Sequence, residues 1–255
     1  MKVYFVGAGP GAIDLITVRG AKLLSEAPVV LYAGSLVPQD LLSYCRQDAT
    51  IHDTAALSLD QQMDEYKKAK ERDLNVVRLH SGDPSIYGAT GEQMRRLHQL
   101  EIEYEIVPGV SSFSAAAAQI GAELTKPNIS QSVILTRVSG RASQVPESES
   151  LDSMAQHKAS MCIFLSGPHL AEIVQTLLKH YPANTPIALI YRATWADERR
   201  HLSTLAAVLD EVKSADWALT TMLLVGDALD LQSGDDSQLY SAEYTHKFRK
   251  GVARV

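Results

Sequence analysis

Three glycine turns, each at the end of an apolar run, carry the residues best suited to chemistry. The first, "VGAGPGAIDLITVRG" at 6–20, follows Val3-Tyr4-Phe5-Val6 and holds Gly7, Gly9 and Gly11 within five residues. A strand running into glycines lets backbone N–H groups come close to a bound ligand. Gly7, Gly9 and Ala12 also satisfy the dinucleotide fingerprint, whose third glycine admits alanine. The second turn, "LHSGDPSIYG" at 79–88, frees the backbone at Gly82 and sets Asp83 before Pro84. Alone it reads as an Asp-capped turn. The third, "VPGVSSFSAAAAQIG", joins a strand to a helix of very small residues, with Ser111 or Ser112 as its cap. Three such turns on one sheet would line its carboxyl edge, where ligands bind in α/β folds.

The dinucleotide reading meets two obstacles. A pyrophosphate site needs a helix that starts at the glycines, with its N-terminus facing the phosphates. Here Pro10 and Gly11 follow the second glycine, and "AIDL" intervenes before Thr17, a plausible N-cap. The next strand, "PVVLYAGSL", ends in Ala33-Gly34-Ser35, with no acid for the ribose hydroxyls. A NAD(P) or FAD oxidoreductase therefore stays only as a distant alternative.

The elements that must position these turns follow from the alternation of short apolar runs with amphipathic segments. "VYFV", "PVVLYAG", "LNVVRLHSGD" and "YEIVPGVSS" read as strands, and helices are expected near 17–27, 59–72, 89–100 and 112–121. That order predicts an α/β domain with a largely parallel sheet. "ELTKPNIS" at 123–130 breaks the pattern, and "SVILTRV", "MCIFLSG", "PIALIYRAT" and "TMLLVGDAL" follow it. The expected organisation is an α/β domain over 1–124, a second over 129–231, and a polar tail over 232–255. "SGRASQVPESES" (139–150) reads as a solvated loop, or as a lid, since it leaves a strand ending in Arg137 and contains Arg141.

The 255 residues are 45% hydrophobic and 21% charged, an ordinary soluble composition. No apolar run approaches the ~20 residues needed to cross a bilayer, and "MKVYFVGAG" carries no signal region, so a cytoplasmic protein is expected. Cys45 and Cys162 are too few and too far apart for a disulfide framework. A net charge of −6 argues against a nucleic-acid binder, which needs a clustered basic face. A few arginines can still hold a small polyanion. His80, His98, His157, His169, His180 and His201 show no zinc-ligand spacing, so no metal is expected.

In order and spacing, "VGAGPGAIDLITVRG", "VVRLHSGDPSIYG" and "YEIVPGVSS" resemble the tetrapyrrole methylases, and the resemblance runs over about residues 2–230. It implies two α/β domains with S-adenosylmethionine in the cleft between them, S-adenosylhomocysteine as product, and a homodimer. It assigns the first glycine loop, Gly9 included, to the tetrapyrrole rather than to a pyrophosphate. Carried over motif by motif, it puts methyl-donor contacts on Pro10, Ser81, Gly82, Asp83, Ile86, Ser111 and Ser112, and on Ser166, Ala193 and Met222. Several members have methionine where Ser166 stands, which implies a backbone contact there. Uroporphyrinogen methylases resemble "VVYD" at the end of the second strand, where this chain has Ala33. "LYAGSLVP", "TRVSGRASQVPESESL", "YRATWADE" and "QLYSAEYTHKFR" instead resemble the branch that methylates carbon 11 of precorrin-4 or of its cobalt complex. Another precorrin carbon, or a macromolecule such as ribosomal RNA, is the alternative within the family. Arg137, Arg141, Arg192 and Arg199 are the candidates for the substrate carboxylates, with His246 and Arg249 of the tail behind them. No general base can be assigned.

Overall fold

The computed structural model describes residues 1–140, 144–232, 234–235 and 237–252. By internal contacts the chain divides into two units, Met1–Ala115 with Arg192–Glu198, and Ala116–Tyr191 with Arg199–Val255.

In the first unit the apolar runs become β1 (Lys2–Gly7), β2 (Val29–Tyr32), β4 (Val76–His80) and β5 (Glu103–Val107), with a further strand, β3 (Thr50–Asp53). All pair in parallel in the order β3-β2-β4-β1-β5. Both faces of the central strands are covered, which is why they read as continuous apolar runs rather than as alternation. On one face Val6, Val30, Val77 and Leu79 pack with Leu24 of α1 (Val18–Glu26). On the other, Val3, Phe5, Leu31 and Val76 pack with Met63 and Tyr66 of α2 (Leu59–Glu71) and Leu97 of α3 (Thr90–Gln99). Thr17 caps α1 as its sequence position suggests, its hydroxyl accepting the Gly20 N–H at 3.1 Å. Ser58 and Gln61 close a reciprocal capping box at the start of α2. After β5 comes α4 (Ser112–Gln119).

The second unit holds β6 (Val133–Arg137), α5 (Leu151–Ala155), β7 (Ser160–Phe164), α6 (Leu170–Leu177), β8 (Pro186–Tyr191), β9 (Arg199–Thr204), α7 (Val208–Glu211) and β10 (Thr221–Val225). Its sheet is mixed, in the order β6-β7-β10-β8-β9. Only β6 and β7 run parallel. Met161, Ile163, Leu189 and Leu223 from the strands meet Leu170, Ile173 and Leu177 of α6 in its core, all fully buried.

β3 and β9 are the strands that no apolar run announces. Each is an edge strand paired on one side only, with mostly exposed or half-buried residues ("TIHD" and "RRHLST"). An edge strand needs few apolar side chains, so the sequence pattern there stays faint.

Candidate functional site

β4, β1 and β5 lie side by side, so the three glycine turns leave the same edge of the first sheet. The turns are laced together by their backbones. Ala8 N–H donates to His80 O at 2.8 Å, Gly82 N–H to Gly9 O at 2.7 Å and Gly9 N–H to Gly82 O at 3.3 Å. A Cβ at Gly7 would lie 2.5 Å from Gly109 Cα, and one at Gly109 would lie 2.2 Å from Gly82 O. These glycines are needed because three main chains occupy the space that side chains would fill. Gly9 and Gly82 add positive φ values of 81° and 63°, which favour glycine. Part of the glycine signal is therefore packing between loops. A single 3-10 turn, Ile13–Leu15, follows the first glycine turn, and the α-helix begins only at Val18.

Asp83 ties the second turn to the third. Its Oδ1 accepts the Ser85 N–H at 2.8 Å and also the Ser85 hydroxyl, while its Oδ2 accepts the Gly109 N–H at 2.8 Å. The capping role and the bridging role coexist. Thr90 Oγ1 donates to Pro84 O at 3.2 Å, which closes the turn that contains Ile86. Ser111 is buried, and the backbone N of Ser112 would lie 3.6 Å from a Cβ at Gly82. The structure thus gathers Gly9, Pro10, Ser81, Gly82, Asp83, Ser111 and Ser112 at one sheet edge. Ala193 joins them, buried on a segment whose Thr194 hydroxyl accepts the Ala12 N–H at 2.9 Å. Arg192 on that segment forms an ion pair with Asp197 at 2.6 Å.

Within the second unit, Ser166 is fully buried and its hydroxyl donates to Thr221 O at 3.1 Å, beside Met222. That hydroxyl is committed to the fold. Arg137 closes β6 in register with Phe164 of β7, and its Nε donates to Val138 O at 3.4 Å. Arg141 lies outside the described residues. Arg199 stacks over Tyr191, 4.5 Å from the ring centroid, and Arg249 donates to Leu239 O and Ser241 O.

His80 is buried, and its Nε2 has no hydrogen-bond partner among the described residues. Burial, with the neighbouring Arg78 charge, pushes its pKa down to about 3 against a hydrogen bond with the Gly88 backbone that raises it. It stays neutral and shares the face of β4 with Arg78, whose own pKa burial lowers. Among the described residues no group of three or more His, Cys, Asp or Glu is placed to hold a metal ion. None of the described helices is long and apolar enough to cross a membrane.

Sequence reasoning missed one carboxylate at this edge. Asp53 ends β3, and its Oδ1 accepts the Gly34 N–H at 3.0 Å and the Ala55 N–H at 2.8 Å. An acid thus stands beside the turn after β2, supplied by the neighbouring strand. The nearest signal was Gly34 itself, whose missing Cβ leaves room for that carboxylate.

The sequence model of the Tetrapyrrole (Corrin/Porphyrin) Methylases matches residues 2–209 of this chain. The chain belongs to the tetrapyrrole methylase family. It is 49% identical over 251 residues to a precorrin-4 C(11)-methyltransferase of Pseudomonas aeruginosa, covering 98% of this chain and 100% of that protein. A solved cobalt precorrin-4 methyltransferase superposes with a TM-score of 0.86 at 42% identity, covering 90% of this chain and 96% of that one. A uroporphyrin-III C-methyltransferase from Thermus thermophilus, solved in complex with S-adenyl homocysteine, superposes with a TM-score of 0.73 at 25% identity. It covers 90% of this chain and 99% of its own.

The residues of the first unit fit the methyl donor that the family implies. A carboxylate offers about four acceptor sites, and Asp83 uses three, for Ser85 N, Ser85 Oγ and Gly109 N. One stays available to an ammonium. Ser81, Ser111 and Ser112 carry hydroxyls on the same turns, and Pro10, Ile86 and Ala193 are apolar residues of the same unit.

Proposed function

We propose that this chain transfers the methyl group of S-adenosylmethionine to carbon 11 of precorrin-4, or of its cobalt complex, in cobalamin biosynthesis. The observation that carries this reading is the near full-length identity to the Pseudomonas precorrin-4 C(11)-methyltransferase. The gathering of the family's donor motifs at one sheet edge supports it.

When bound, the donor supplies a methyl already activated on a sulfonium. The chain's own task is therefore to bind and align. Ser81, Gly82, Asp83, Ser111 and Ser112 hold the polar end of the donor, with Asp83 as the partner of its ammonium. Pro10, Ile86 and Ala193 cover its apolar surface. Gly9 faces the tetrapyrrole, and Arg137 and Arg192 take substrate carboxylates. Holding two reactants in a reactive geometry can supply ~7–11 kcal/mol of a barrier. No residue is assigned as general base.

The working form is a cytoplasmic homodimer whose partners are small molecules, with neither nucleic acid nor membrane involved. Mass spectrometry with a labelled donor and a panel of precorrin intermediates tests the substrate. One added methyl on precorrin-4 or cobalt-precorrin-4, and on no other member of the panel, is expected. Methylation of a different intermediate would refute the assignment.

A further inference from the structure

The segment Arg192–Glu198 carries two residues in the left-handed region, Arg192 at φ 48° and Thr194 at φ 70°. For a β-branched threonine this is a costly conformation that persists only where its surroundings enforce it. Here they do. The Thr194 N–H donates to Glu198 Oε2 at 2.6 Å, and the Trp195 N–H to Arg192 O at 3.0 Å. Arg192 pairs with Asp197 at 2.6 Å and lies over the Trp195 ring, 3.8 Å from its centroid.

The result of this arrangement is a grip on the first glycine turn. Thr194 Oγ1 accepts the Ala12 N–H at 2.9 Å, and Trp195 Nε1 donates to Pro10 O at 2.8 Å. Between these two bonds lies Gly11. A Cβ there would sit 2.3 Å from Trp195 Cδ1 and 2.7 Å from Nε1, so the indole occupies the space that glycine leaves. Pro10 and Gly11 are both buried. Three consecutive residues of the turn are thus each held by the same short segment.

We infer that Thr194 and Trp195 are positioning residues for methyl transfer, fixing the Gly9–Ala12 backbone through Ala12 N, Pro10 O and the Gly11 hollow. The inference rests on the function proposed above, in which Pro10 touches the donor and Gly9 the tetrapyrrole. One rigid turn then sets the distance between the two reactants. Loosening it costs alignment more than binding, so the loss falls on kcat.

Three variants separate this role from a merely structural one. Thr194→Val keeps the shape and removes the acceptor. Thr194→Ser keeps the acceptor. Trp195→Phe fills the hollow and removes the donated hydrogen bond. Turnover is measured at saturating S-adenosylmethionine with precorrin-4 and with cobalt-precorrin-4, beside calorimetric titration of S-adenosylhomocysteine for stoichiometry and Kd. We expect kcat about tenfold lower in Thr194→Val and Trp195→Phe, and within about threefold of the parent in Thr194→Ser. Product stoichiometry should be unchanged, with Kd moving by less than about threefold. If Thr194→Val loses binding stoichiometry through misfolding, Trp195→Phe decides. Parental kcat in both Thr194→Val and Trp195→Phe overturns the inference. So does a Thr194→Ser as slow as Thr194→Val, or a loss confined to Kd with kcat intact. A parent chain that methylates neither tetrapyrrole overturns the function itself, and the inference falls with it.

Discussion

Burial draws the Asp83 pKa upward, but hydrogen bonds from Ser85 and Gly109 outweigh it and hold it below the usual carboxylate value. The charge is therefore present at neutral pH, where a donor ammonium can use its free acceptor site. Asp83→Asn should weaken S-adenosylhomocysteine binding by about 1–2 kcal/mol, read by calorimetry, because a charge-assisted bond is lost and an amide replaces one acceptor. Unchanged affinity would confine Asp83 to tying the turns together. Arg137 is tested from the substrate side. Arg137→Ala should raise the KM for precorrin-4 roughly tenfold and leave the donor Kd unaltered, with Arg137→Lys recovering little, since a lysine lacks the planar fork that matches a carboxylate. Parental kinetics in both would remove Arg137 from the site. At this scale the sequence was informative about residue types and silent about partners. "SGDP" shows an Asp that can cap a turn, but not that its second oxygen reaches Gly109, and "GPG" does not show an indole lying against Gly11. Those contacts join distant parts of the chain, which no local spacing encodes.

The glycine turns act as one element because their main chains touch. Gly109→Ala would drive a Cβ to 2.2 Å from Gly82 O and 2.7 Å from Gly7 Cα, backbone atoms that no rotamer change can clear. It should cost about 1–3 kcal/mol of stability in urea unfolding. Donor binding should weaken beyond that, because all three turns shift together. A stable variant with parental donor affinity would mean that the turns are independent. β1 and β4, which bear the first two turns, were legible because burial on both faces of a parallel sheet demands unbroken apolar runs, whereas β5 is an edge strand and showed only the short run "YEIV". Thr17 was legible as a cap because a threonine stands just before the amphipathic stretch. β3 and β9 were not, since an edge strand leaves little apolar signature, and with β3 went the placing of Asp53 beside Gly34. The mixed pairing of the second sheet was equally hidden, because strand direction depends on connections rather than on hydrophobicity.

Among the described residues, His80 gives the fold a marked dependence on acid. The unfolded chain takes up the imidazole proton near the ordinary value of 6.5, whereas the folded chain resists until about 3, because burial and the Arg78 charge oppose it. Between those values the unfolded state binds more protons, so stability is full above the upper value and is lost as pH falls through the window, at about 1.4 kcal/mol per unit. Urea unfolding from pH 7 to 4.5 should show this acid limb in the parent and a shallower one in His80→Asn. Parallel curves would contradict it. Net charge is the other property of the whole chain: at −6 it offers no general basic field, so the proposed function leaves a polycarboxylate to local cations. Transfer of one methyl to one carbon is read out by nuclear magnetic resonance of the product formed with a carbon-13 methyl donor. A single enriched methyl bonded to carbon 11 of precorrin-4 or cobalt-precorrin-4 is expected. Enrichment at any other ring carbon, or an unlabelled tetrapyrrole after incubation with protein that binds the donor, would contradict it.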